Sequence, residues 1–123
     1  MSKASPLLQL NEHELLDTLY KTLANRKRRN VLRYLTDHPE PISISQLATE
    51  MVALEYGSDS SAISTEQKEH TNVSLLHVHL PVLDEAGLVS WDRDSDSVAI
   101  SHDLEKLVVT TTGNVLDLSV SVK

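Results

Sequence analysis

Cysteine is absent from the 123 residues, so neither a disulfide nor a thiolate metal site can form. Phenylalanine is absent as well, and aromatics make up 3% of the chain, so the core has to be built from Leu, Val, Ile and Ala. With three glycines there is little room for a loop-built active site or a Gly-rich phosphate cradle. No Gly-x-Ser-x-Gly elbow occurs, and no Ser, His and Asp share a recognisable local context. These absences argue against an enzyme and against a bound cofactor. No apolar run approaches a membrane span, and Met1 to Leu10 lacks the hydrophobic region of a signal peptide, so a cytoplasmic protein is expected. The length fits one domain with a real core.

Positive charge is scarce. The net charge is −7, the wrong sign for a simple binder of nucleic acid. Residues 1–57 balance seven basic against seven acidic side chains, whereas residues 58–123 carry four basic and eleven acidic. The excess therefore lies wholly in the second half.

The apolar spacing divides the chain into elements. Residues 1–11 read as a loose tail. Leu15, Leu16, Leu19, Tyr20 and Leu23 make a helical stripe over about Glu12–Ala24, and Asn25 is placed to cap a second helix, Arg26–Asp37, that Pro39 and Pro41 stop. Ser43 and Gln46 have capping-box spacing at the start of a third helix, which points Leu47, Ala48, Met51 and Leu54 inward and ends before Gly57. Ile42 is positioned to form a one- or two-residue strand. A polar loop from Gly57 to Ser64 leads to a fourth helix, from Ser64 or Thr65 to Ala86, which Pro81 should bend.

The stretch Val73–Val89 organises the rest. Val73, Leu76, Leu80 and Leu83 lie on one helical face, and Gly87 stands where a helix C-terminus needs a left-handed residue. Leu88 then falls where it can fold back onto Leu83. Two strands follow at once, Leu88–Asp92 and Ser97–Ser101, with Arg93-Asp94-Ser95-Asp96 as their turn. A helix that passes through a glycine cap directly into a hairpin is how a recognition helix hands over to a wing, so the expected fold is mainly α with a small β-hairpin wing, a winged helix-turn-helix domain over residues 12–101.

Residues 102–123 support two patterns. Leu104, Leu107, Val108, Thr111, Val115, Leu118 and Val122 share a helical face, yet Val108–Thr112 is β-branched throughout and Gly113-Asn114 is a hairpin-turn dipeptide. The length of the stripe favours a helix, and one that serves dimerisation. Leu15 and Leu19 together with Leu104, Leu107, Val108, Val115 and Leu118 are then the expected homodimer interface.

Arg26-Lys27-Arg28-Arg29 is the one dense positive run. Four cations oppose the dipole at a helix N-terminus, so their placement suits phosphates better than helix stability. Of the histidines, His70 and His77 share a helix face while His77 and His79 do not. No i, i+4 pair exists, so no metal site is expected. The acidic turn Asp92, Asp94 and Asp96 lacks the glycine and terminal glutamate of an EF-hand and is better explained by solubility.

Leu23-Ala24-Asn25-Arg26-Lys27-Arg28-Arg29-Asn30-Val31-Leu32-Arg33-Tyr34-Leu35 resembles the opening of the ArsR-like winged-helix superfamily, and Val82–Val89 resembles its helix-to-wing junction. More narrowly, His77–Gly87 is similar to small winged-helix domains of unknown function from halophilic archaea. The resemblance covers about residues 12–101 and implies a transcription regulator. It also implies an acidic surface at high salt, where charge repulsion is screened within about 3 Å at 1 M. One departure stands out: Leu75, Val78 and Pro81 occupy helix positions that are usually polar, and such side chains cannot hydrogen-bond to base edges.

The expected function is binding of duplex DNA as a homodimer, with Arg26, Lys27, Arg28, Arg29 and Arg93 on phosphates and Asn72, Ser74 and His77 on the fourth helix. The alternative is a protein-interaction winged helix whose contact face is Leu75, Val78 and Val82. Neither pattern names an operator or a small-molecule effector.

Overall fold

The computed structural model describes residues 11–57, 63–102, 104–112 and 115–122, with side chains described from 13 to 102 within those limits and for Asn11. The expected tail, the middle of the Gly57–Ser64 loop and the Gly113-Asn114 turn lie outside the described residues.

Each helix begins where a short polar side chain can take orphan backbone N–H groups. Asn11 and Glu14 form a reciprocal capping box at the start of α1 (Glu12–Leu23). Asn25 accepts from the Lys27 and Arg28 amides and starts α2 (Arg26–Asp37). Ile42–Ser43 forms the short strand β1, after which Ser43 caps α3 (Ile44–Tyr56). Only half of the expected box forms there, because the Gln46 amide donates forward to Glu50. Leu54, expected inward, is 57% exposed; Glu55 and Tyr56 beside it are exposed too, so the last turn of α3 runs past the core.

Ser64 and Gln67 form a second capping box and open α4 (Thr65–Ser74). The helix continues through a π turn, Leu75–His79, into α5 (Leu80–Glu85). The π turn sits directly ahead of Pro81, which has no N–H for the His77 carbonyl and whose ring would press on it in a regular helix. The wider turn closes instead with the Leu80 amide on the Leu75 carbonyl. Pro81 thus interrupts the regular helical hydrogen-bond pattern, and the π turn replaces it.

Gly87, at φ 80°, ends α5. Its amide donates to the Asp84 carbonyl and the Leu88 amide donates to the Leu83 carbonyl, each at 3.0 Å. Those two bonds are the Schellman pair. The chain enters β2 (Val89–Asp92) two residues later and returns as β3 (Ser97–Ile100). Strand order is β1-β3-β2, all antiparallel, with Ile42 opposite Val98 and Trp91 opposite Val98 across the other edge. Three helices, a short strand, a long exposed fourth helix and a hairpin paired to that strand make a winged helix-turn-helix fold, mainly α with a small wing.

One contiguous core joins these parts. Leu19, Leu23, Val31, Leu32, Leu35, Ile44, Leu47, Leu80, Leu83 and Leu88 are all fully buried. Each such side chain contributes roughly 1.5–3 kcal/mol by leaving water.

The C-terminal segment is not a helix. It forms β4 (Leu104–Thr112) and β5 (Val115–Val122), paired antiparallel, with β4 running beside α2. The β-branched run prevails over the helical stripe because its χ1 freedom is lost in a helix and kept in a strand. The register then splits the expected interface: Leu107 (opposite Val120) and Leu118 (opposite Val109) fall on one face, while Val108 (opposite Ser119) and Val115 (opposite Thr112) fall on the other. Leu104 pairs with Val122 beyond a register shift.

Candidate functional site

The basic run divides in two. Arg28 donates from Nε to the Thr22 carbonyl and Arg29 from Nη1 to the Leu23 carbonyl, both at 2.7 Å. Those carbonyls belong to the last turn of α1, which has no internal donors left for them. Arg28 and Arg29 are half-buried and tie α1 to α2, whereas Arg26 and Lys27 are exposed. Of the four cations in this run, all expected on phosphates, Arg26 and Lys27 take no part in that tie.

The fourth helix sorts its expected contacts unevenly. His77 is exposed, as is His70 seven residues earlier. Ser74 lines a cavity toward α2 and α3, and Asn72 lines a shallow groove shared with Ser45, Thr49 and Asp96. Neither is on the outermost face, which instead carries Glu66, Glu69, His70, Val73, His77, Val78 and Val82. Leu75, expected in an apolar contact face, is 2% exposed and belongs to the core; Val73 takes its place beside Val78 and Val82.

In the wing, the Arg93 guanidinium lies over the Trp91 ring, 4.4 Å from its centroid. The contact holds the one wing cation against β2. Asp92 folds its carboxylate back over its own turn, accepting from the Asp94 and Ser95 amides at 3.0 and 3.3 Å. Hydrogen bonds from the Ser95 backbone and hydroxyl, then from the Asp94 backbone, lower its pKa. Asp96 closes the turn at φ 55°, a conformation aspartate tolerates better than most residues.

The cavity behind the fourth helix was not foreseen. It encloses ≈ 260 Å³ between α2, α3, α4 and the π turn. Val31, Met51, Leu75 and His79 supply buried wall, and the exposed Arg26, Lys27, Leu54 and Glu55 stand at its rim. His79 is 5% exposed, and its Nδ1 has no hydrogen-bond partner. Burial first, then the charges of Arg28 and Lys27, lower its pKa, so the ring is neutral near pH 7. The two-residue spacing of His77 and His79 foretold opposite faces, but only the folded corner reveals which one faces inward.

Among the described residues no three His, Asp or Glu side chains converge to hold a metal ion, and no helix is long and apolar enough to cross a membrane. Of the expected dimer residues on α1, Leu19 is fully buried in the chain's own core and Leu15 packs against it. Leu19 was expected to face a partner, but the core of this chain covers it. Leu16 and Tyr20, on the neighbouring stripe, are 39% and 46% exposed.

Residues 20–99 match the model of a family described as a domain of unknown function, DUF7344. The match spans more than half of the chain, and the chain belongs to that family. No curated protein and no solved structure matches it.

Proposed function

From the winged-helix frame, we propose that the chain is a DNA-binding transcription regulator of the ArsR-like kind, cytoplasmic and without catalytic activity, that acts on duplex DNA as a homodimer. One observation carries this reading: the exposed fourth helix passes through the Gly87 cap into a hairpin whose inner strand is paired to β1, so helix and wing are held rigidly to the same core. That is the frame a groove-reading helix requires. Arg26 and Lys27 support the reading as exposed cations beside it, and His77 as an exposed donor.

Fluorescence anisotropy with genomic fragments over graded potassium chloride tests it. Saturable binding with a negative slope of log affinity on log salt is expected, shallower in an Arg26→Ala, Lys27→Ala variant. Absence of binding at every salt concentration overturns it.

A second reading has its own support. Val73, Val78 and Val82 are 55%, 49% and 36% exposed along one helix, a face suited to a protein partner. In that reading the fold serves interaction and DNA is not bound.

A further inference from the structure

The cavity between α2, α3 and the fourth helix has the layout of a small-molecule site. Its depth is apolar or neutral, with Met51, Leu75 and His79 nearly out of solvent. Its rim carries the charges of Arg26, Lys27 and Glu55, a balance of one positive. At ≈ 260 Å³ it exceeds the roughly 150 Å³ cavity that takes a benzene molecule.

Two independent features mark the wall as specialised. The buried Nδ1 of His79 lacks a partner, which natural interiors rarely permit without a reason. Leu75 and His79 are the first and last residues of the π turn, and such turns recur at functional sites.

We propose that this cavity binds a compact monocarboxylate, an aromatic or branched short-chain acid, with its apolar body against Met51, Leu75 and the His79 ring and its carboxylate at the mouth beside Arg26 and Lys27. Apolar walls with a few convergent polar groups take such ligands, and a charge-assisted contact at the mouth orients them. The Asn25 cap already occupies the Lys27 and Arg28 amides, so the side chains, not the helix N-terminus, supply the positive charge. The neutral His79 places no charge beside the apolar body. This inference stands whether or not the chain binds DNA.

Titration of the full chain with benzoate, followed by amide and imidazole NMR shifts, tests it. Benzoate is expected to bind saturably, to move the signals of Leu75 and His79, and to bind about tenfold more tightly than the isosteric neutral benzamide. Arg26→Gln with Lys27→Gln should bring the two ligands to nearly equal affinity. Thr71→Phe, which fills the cavity from α4, should abolish binding of both with the circular dichroism spectrum unchanged. If that variant unfolds, the glutamine pair decides the matter, because both of its sites are exposed. Equal affinity of benzoate and benzamide for the wild type, shifts scattered over the surface, or no saturable binding overturns the proposal.

Discussion

Arg28 donates from Nε to the carbonyl oxygen of Thr22 at 2.7 Å, across the corner where α1 gives way to α2. Arg29 repeats the contact one residue on, from Nη1 to Leu23. Two of the four cations in the basic run are thereby a C-terminal cap for the preceding helix, and the favourable end of the α1 dipole offsets the unfavourable end of α2.

Arg28→Ala and Arg29→Ala are therefore expected to lower stability by about 1.5–3 kcal/mol each, the range for hydrogen bonds to charged groups. Arg26→Ala and Lys27→Ala, on exposed side chains, should stay within about 0.5 kcal/mol. Urea unfolding of the four single variants checks this. Equal effects across the run would remove the capping role.

Gly87→Val is expected to cost at least about 1 kcal/mol, because φ 80° is poorly accessible to a β-branched residue. Gly87→Asn should cost less, since asparagine tolerates that region. Melting temperatures of the two variants give the order. A valine variant as stable as the wild type would mean that the Schellman pair contributes little.

His79 links stability to pH. Its pKa is lowered by burial and then by Arg28 and Lys27, so the unfolded chain binds the proton more readily. This contribution is complete above the unfolded value of about 6.5 and shrinks as pH falls through that value toward the lowered folded one. The slope cannot exceed about 1.36 kcal/mol per pH unit from one group. His79→Leu should remove it and, by deleting an unpartnered Nδ1, leave stability at neutral pH equal or higher. Denaturation midpoints between about pH 5 and 8 measure both effects. A leucine variant with the wild-type slope would place the linkage elsewhere.

The helix-to-wing junction was legible because its signals are local: a stripe ending at Leu83, a glycine four residues on, and period-two spacing from Val89. Asn25 was legible for the same reason. The C-terminal segment failed because two local signals competed, and the longer one was not the stronger. Val108–Thr112 resists helix formation residue by residue, whereas a stripe has no force until something packs on it. The capping by Arg28 and Arg29, the cavity and the inward His79 depend on how the α1–α2 corner and the π turn meet, which no periodicity encodes.

The outer face of the fourth helix offers the sharpest separation between the two functional readings. Val73 and Val78 are about half exposed, outside the buried core, so replacing both with lysine should change stability by no more than about 0.5 kcal/mol per site. If this face lies on DNA, each new ammonium can neutralise a phosphate. Affinity should then rise, and the slope of log affinity against log salt should steepen by up to about 0.9 per added contact. The gain should be largest at low salt, where the acidic Glu66 and Glu69 on the same face repel DNA most. If the face instead receives a protein, the two lysines interrupt the Val73–Val78–Val82 patch and no DNA affinity appears. Anisotropy titrations of Val73→Lys, Val78→Lys against the wild type, at matched salt, therefore give opposite answers. A folded double variant with unaltered, measurable DNA affinity and an unaltered slope would place the DNA on some other surface of the domain.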